Sequence, residues 1–138
     1  MMTYKHTTFD SLSFDKMLSN AHSPMAGAVV MFSGEVRNHH KGKDVEKISY
    51  EAQQELADVM ISDILNDAKE KYNLHFADAV HRIGDVGISE SAVIVITTHS
   101  HRQNAYDANQ YIINRIKSEA PIWKKEIYTD GSYYWGVQ

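Results

Sequence analysis

The sequence predicts an α+β fold in which two long helices pack on a mostly antiparallel sheet that ends in a C-terminal hairpin. Three patterns predict it. Leu56, Met60 and Ile64 recur every four residues, with Val59 and Ala68 beside them, and Ala105, Ala108, Ile112 and Ile116 form a second helical stripe. Two runs, GAVVMFSGEV at 27–36 and AVIVITT at 92–98, open or continue without polar alternation and read as buried strands. Near the end, two short strand-like segments flank Asp130-Gly131, a residue pair that favours tight hairpin turns.

Taken in order, residues 4–8 form a short first strand and residues 13–21 a short helix, with Phe14, Met17 and Leu18 on one side. The buried strand at 27–36 leads into RNHHKGKD, a polar loop that turns at Gly42. KISYEA at 47–52 alternates as a strand does. A helix spans 54–71, and strands follow at 77–83 and 92–98. Ser100 and Gln103 match a capping box, which starts the second helix at His101. Ala120 ends that helix, because a residue before proline avoids helical angles. Residues 123–128 and 132–135 make the terminal hairpin.

The 138 residues, 43% of them hydrophobic, suit one compact domain, 1–138, with a sizeable core. No internal repeat or Pro/Gly linker divides it. Cysteine is absent, which excludes disulfides, thiolate metal sites and a cysteine nucleophile, so any sulfur handled here cannot ride on a persulfide of this chain. A formal net charge of -4 argues against broad nucleic-acid binding. No apolar run spans a membrane and no secretory signal opens the chain, so the cytoplasm is the expected compartment.

Cations gather at three places despite the acidic balance. His101 and Arg102 fall in the first turn of the second helix, where unpaired N–H groups disfavour cations and favour anions. A phosphate there would reconcile them. Arg37 leaves the end of a buried strand, where a rigid scaffold presents reactive groups. Lys117 precedes the Ala120-Pro121 break, and Lys124 and Lys125 follow Trp123. Lys117 also fits simply as a cation in a last helical turn. Neighbours on a strand point to opposite faces, so at most one of Lys124 and Lys125 lines a given pocket. A lysine used as acid or base needs its pKa lowered by another cation and by burial, and Pro121 and Trp123 offer an apolar wall.

Histidines supply an alternative. His39, His40, His81, His99 and His101 are candidate metal ligands, but no HExxH or comparable spacing appears, and no metal is expected. From the residues alone, a non-catalytic phosphate-ligand binding module and a metal-dependent hydrolase both stay open.

Longer stretches carry more. GAVVMFSGEVRNH, YEA at 50–52, HRIG at 81–84, SHR at 100–102 and KSEAPIWKKEIY at 117–128, in that order, resemble the catalytic, large-subunit family of molybdopterin synthases. The resemblance runs from Gly27 almost to the C-terminus. It implies an α/β-hammerhead type of fold and a homodimer within a heterotetramer, with two small ubiquitin-like sulfur carriers that end in Gly-Gly. It implies that the carrier's C-terminal thiocarboxylate enters a pocket and gives two sulfurs in turn to a pterin phosphate substrate, cyclic pyranopterin monophosphate. No resident cofactor is implied. Residue by residue, Lys117 and Lys124 match the family's active-site lysines. Arg37, His101 and Arg102 match the holders of the substrate phosphate, while Glu35, Val36, Lys125 and Glu126 match segments beside the substrate.

Helix geometry adds a constraint of its own. His101 and Lys117 lie sixteen positions apart on one helix, roughly 24 Å at about 1.5 Å per residue. No Pro or Gly breaks the helix between them. The expectation is therefore a composite site at a two-fold dimer interface, with His101 and Arg102 of one chain facing Lys117 and Lys124 of the other.

Overall fold

The computed structural model describes residues 3–137. Among them the elements run β1 (Thr7–Thr8), α1 (Phe14–Leu18), β2 (Ala28–Glu35), β3 (His39–His40), β4 (Lys43–Ala52), α2 (Gln54–Tyr72), β5 (Phe76–Arg82), β6 (Gly84–Gly87), β7 (Ser91–His99), α3 (Arg102–Glu119), β8 (Ile122–Tyr128) and β9 (Tyr133–Val137). The chain is α+β, as its patterns predict, but its strands divide into two sheets. One has the order β1-β5-β7-β2; the other has β3-β4-β8-β9, with β6 also paired to β4. Every pairing is antiparallel except β1 with β5.

β7 shows why its sequence has no polar alternation: it is covered on both faces. Val93 and Val95 join the main core under the long helices, while Ile94 and Ile96 face α1 through Met17 and Leu18. Thr97 and Thr98 are buried without cost in unmade bonds, since each hydroxyl donates to a backbone carbonyl, of Ala105 and Ala21.

α2 starts where Gln53 caps it, its side chain accepting from the Leu56 N–H at 2.8 Å. It stops at Asn73 in the left-handed conformation, φ 55°. Its buried face is Ala57, Ile61, Ile64, Leu65 and Ala68. This corrects the expected Leu56-Met60 stripe: Leu56 and Val59 are about half exposed, at 48% and 52%. The apolar band is wider than one stripe, and the small residues Ala57 and Ala68 choose the side that approaches the core closely.

The predicted capping box of α3 does not form. His101 is the N-cap, without a side-chain cap, and the helix begins at Arg102. Ser100 is committed elsewhere: its Oγ donates to the Met25 carbonyl at 2.9 Å and pairs with His75 Nε2 at 3.0 Å. Gln103 instead donates to Asp107. At the far end Ala120 is extended, ψ 135°, as a residue before proline should be. Asn109, buried mid-helix, donates to the carbonyls of Val30 and Val95 and fixes α3 across β2 and β7.

The RNHHKGKD stretch is also more ordered than a polar loop. Lys41 (φ 51°) and Gly42 (φ 77°) both take positive φ, as a two-residue hairpin turn requires, and β3 pairs back on β4. The hairpin places His40 over the second sheet.

Candidate active site

β8 sorts the lysine cluster by alternation. Ile122, Lys124, Glu126 and Tyr128 share one face, and Trp123 and Lys125 share the other. Lys124 lines a cavity of about 440 Å³ at the meeting of the two sheets. Lys125 points away from it, its Nζ 4.2 Å from the centre of the Tyr133 ring and 5.8 Å from that of Trp135. The same cavity collects Glu35 and Arg37 from the end of β2 and Lys117 from the last turn of α3. Val36 lies between the two yet turns inward: it is 3% exposed, and its backbone bonds Glu90 and Ser89. That buried anchor, next to a break in register at Gly34/Glu35, aims its neighbours at the cavity.

The apolar wall is not the expected one. Phe32, Val45, Ile48 and Val93 line the cavity, whereas Pro121 and Trp123 do not. Trp123 lies on the outward face of β8 and is 45% exposed. The reason is strand parity, which sets Trp123 opposite Lys124.

Glu126 organises the cationic side. It is 4% exposed, and its Oε2 meets His40 Nδ1 at 2.6 Å and accepts from the Tyr128 hydroxyl at 2.9 Å. Its Oε1 lies 3.4 Å from Lys124 Nζ. Burial pushes the Glu126 carboxyl up, but the bonds from His40 and Tyr128 and the Lys124 charge prevail and hold it below the usual carboxylate range. Tyr50, also on the cavity wall, has its phenol pushed up to about 12 by burial and then by the Glu126 charge, so it stays a hydrogen-bond donor at neutral pH. Among the described residues Arg37 and Lys117 make no ion pair with the protein. The cavity thus presents two uncompensated cations and a third held by a buried acid. Such a site suits an anion.

His101 and Arg102 are exposed at the other end of α3 and do not line the cavity. His99 and His101 pack ring to ring at 5.8 Å, and the His101 N–H donates to His99 Nδ1. Among the described residues no three His, Asp or Glu side chains converge to hold a metal. His40 is turned to Glu126 and His81 to the Arg82 carbonyl.

Several cavity residues entered the sequence reading only in other roles: His39, His40 and His81 as metal candidates, His81 also inside HRIG, and Tyr50 inside YEA. His40 pairs with an acid 86 positions away, which no local spacing reveals. The burial alternation of β4 did carry a signal for Tyr50, which sits in phase with Ile48.

The fold thus sets a cavity suited to an anion in an α+β chain that has no thiol of its own. The MoaE protein family matches residues 6–119. The molybdopterin synthase catalytic subunit of Thermoplasma volcanium is 39% identical over 133 residues, 96% of this chain and 97% of that protein. Its counterpart from Staphylococcus aureus strain Mu50 is 45% identical over 112 residues, 81% of this chain and 76% of that one. The crystal structure of molybdopterin synthase from Staphylococcus aureus superposes with a TM-score of 0.91 at 35% identity, covering 100% of both chains. A chain from the complex of subunits 1 and 2 of Helicobacter pylori molybdopterin-converting factor shares the fold, with a TM-score of 0.77 at 21% identity over 96% of this chain and 90% of that one. The chain belongs to the MoaE protein family of molybdopterin synthase catalytic subunits. No helix among the described residues is long and apolar enough to cross a membrane.

Proposed function

We propose that this chain is a sulfur-transferring catalytic subunit which converts cyclic pyranopterin monophosphate to molybdopterin in the cytoplasm. The sulfur comes from the C-terminal thiocarboxylate of a small ubiquitin-like carrier ending in Gly-Gly. The observation that carries the reading is the gathering of Arg37, Lys117 and Lys124 around one cavity in a chain with no cysteine. Sulfur must then arrive on a partner, and the cavity offers positive charge to a thiocarboxylate and a phosphate alike.

In this mechanism Arg37 and, from a second copy, His101 and Arg102 hold the substrate phosphate. Lys117 and Lys124 move protons as the thiocarboxylate sulfur attacks and the cyclic phosphate opens. The same cations offset the negative charge that builds in the transition state. Glu35 and the backbone at Val36 border the substrate, Glu126 orients Lys124, and Lys125 shapes the outer face of the same strand. The placement of His101 and Arg102 far from the cavity supports a composite site in a homodimer, two sites per dimer and one carrier for each.

The direct test mixes the chain with thiocarboxylated carrier and cyclic pyranopterin monophosphate and assays the dithiolene product. Two sulfurs transferred per pterin is the expected result. Substrate binding without turnover would reduce the chain to a phosphate-ligand binding module, and loss of activity to chelators would point to a metal-dependent hydrolase.

A further inference from the structure

His40 occupies a position that the proposed mechanism leaves without a role. The Lys41-Gly42 turn folds β3 onto β4, and this brings the His40 ring to Glu126 on β8. Glu126 is ionised and therefore only accepts, so His40 Nδ1 carries the hydrogen of the 2.6 Å bond. Its other nitrogen, Nε2, makes no protein hydrogen bond among the described residues, and the side chain remains 23% exposed. On the far side of the same carboxylate stands Lys124.

Charge around the ring is lopsided. In the main cavity His40 shares the wall with Glu35, Arg37, His39, Tyr50, His81 and Lys117, as well as with the Glu126–Lys124 pair. A second, smaller cavity on its other side is lined by Lys41, Lys43, Tyr128, Tyr133 and Tyr134. Acids are few in both, so Glu126 is the main counter-charge that Lys124 meets.

We propose that His40 is a positioning residue of the reaction: through its hydrogen bond to Glu126 it fixes that carboxylate, and with it Lys124, at the cavity wall. This rests on the sulfur-transfer reading for its effect on rate, but the coupling itself is a property of the folded chain. Nothing in the local sequence marks it, because the three side chains come from a hairpin and a strand far apart in the chain.

The test uses His40→Ala and His40→Gln in the complete assembly with carrier and substrate, alongside the native chain. Thermal melts first establish that both variants are folded; His40→Gln keeps an N–H donor where His40→Ala removes it. Carbon-13 NMR then follows the Glu126 carboxyl through an acid titration. Its midpoint should rise in His40→Ala, toward the ordinary carboxylate range, and rise less in His40→Gln. In the activity assay kcat should fall about tenfold in His40→Ala, below the 10²–10⁴-fold of a group that transfers the proton itself, with KM nearly unchanged. His40→Gln, which keeps an N–H donor for Glu126, should recover part of kcat. A structural loss alone would lower kcat without moving the Glu126 midpoint. An unmoved Glu126 titration overturns the coupling, and a moved titration with unchanged kcat overturns the role in the reaction. If the native assembly itself makes no product, the sulfur-transfer reading has failed and the NMR arm still decides the coupling.

Discussion

Mixing two variants that each fail at limiting substrate separates a site built within one chain from a site shared between two. Arg102 opens α3 and Lys117 lies in its last turn, fifteen positions on. At about 1.5 Å per residue the two are roughly 22 Å apart along the axis, a span that a single pterin phosphate does not bridge. In a two-fold dimer each site takes Arg102 from one chain and Lys117 from the other. An Arg102→Ala chain paired with a Lys117→Ala chain then carries one doubly damaged site and one intact site. Random exchange of equal amounts makes about half the dimers mixed, each with one of two sites intact, so activity should return to about a quarter of native. Each variant is first assayed alone for loss of dithiolene formation, with the substrate held well below the KM expected of Arg102→Ala. They are then mixed under conditions in which labelled chains demonstrably exchange, and assayed again with thiocarboxylated carrier. Recovery below a few per cent, with exchange proven, would refute the shared site and require each chain to bring both ends of α3 to its own substrate.

The other expectations follow from single side chains. Lys117→Ala should abolish turnover while the melt shifts little, since a cation in a last helical turn contributes under about 1 kcal/mol; native-like turnover in the folded variant would remove Lys117 from the chemistry. Arg102→Ala should mainly raise KM, by the roughly 1.5–3 kcal/mol of a charge-assisted hydrogen bond, whereas Lys124→Ala should mainly lower kcat. Steady-state kinetics that reverse those two phenotypes would mean the binding and proton-transfer roles are exchanged. Glu126→Gln should cost about 1–3 kcal/mol at neutral pH, because it weakens three interactions of a buried carboxylate. The native Glu126 carboxyl is held below its usual range, so its stabilisation is complete above the ordinary carboxylate value and fades as pH falls through the lowered one. Denaturant melts at pH 7 and in acid should therefore converge for native and Glu126→Gln chains, and a gap that persists in acid would contradict the linkage.

Local patterns in the sequence determined the helices, the buried strands and the end of α3 at Ala120, because each depends on periodicity or on one residue's backbone preference. They also determined that only one of Lys124 and Lys125 meets a given pocket, since strand parity is local. They could not tell which edge of the apolar band on α2 faces inward. That choice belongs to the partner surface, and it buries Ala57 and Ile61 while leaving Leu56 exposed. The Ser100–Gln103 pattern was a sound capping signal that a long-range bond overrode when Ser100 bonded the Met25 carbonyl. The cavity wall followed the same logic. Pro121 and Trp123 were near the lysines in sequence, but sheet pairing set Phe32, Ile48 and Val93 there instead. The His40–Glu126–Lys124 arrangement was decided wholly by tertiary structure, because β3 and β8 meet only through β4 and the acid and the histidine stand 86 positions apart.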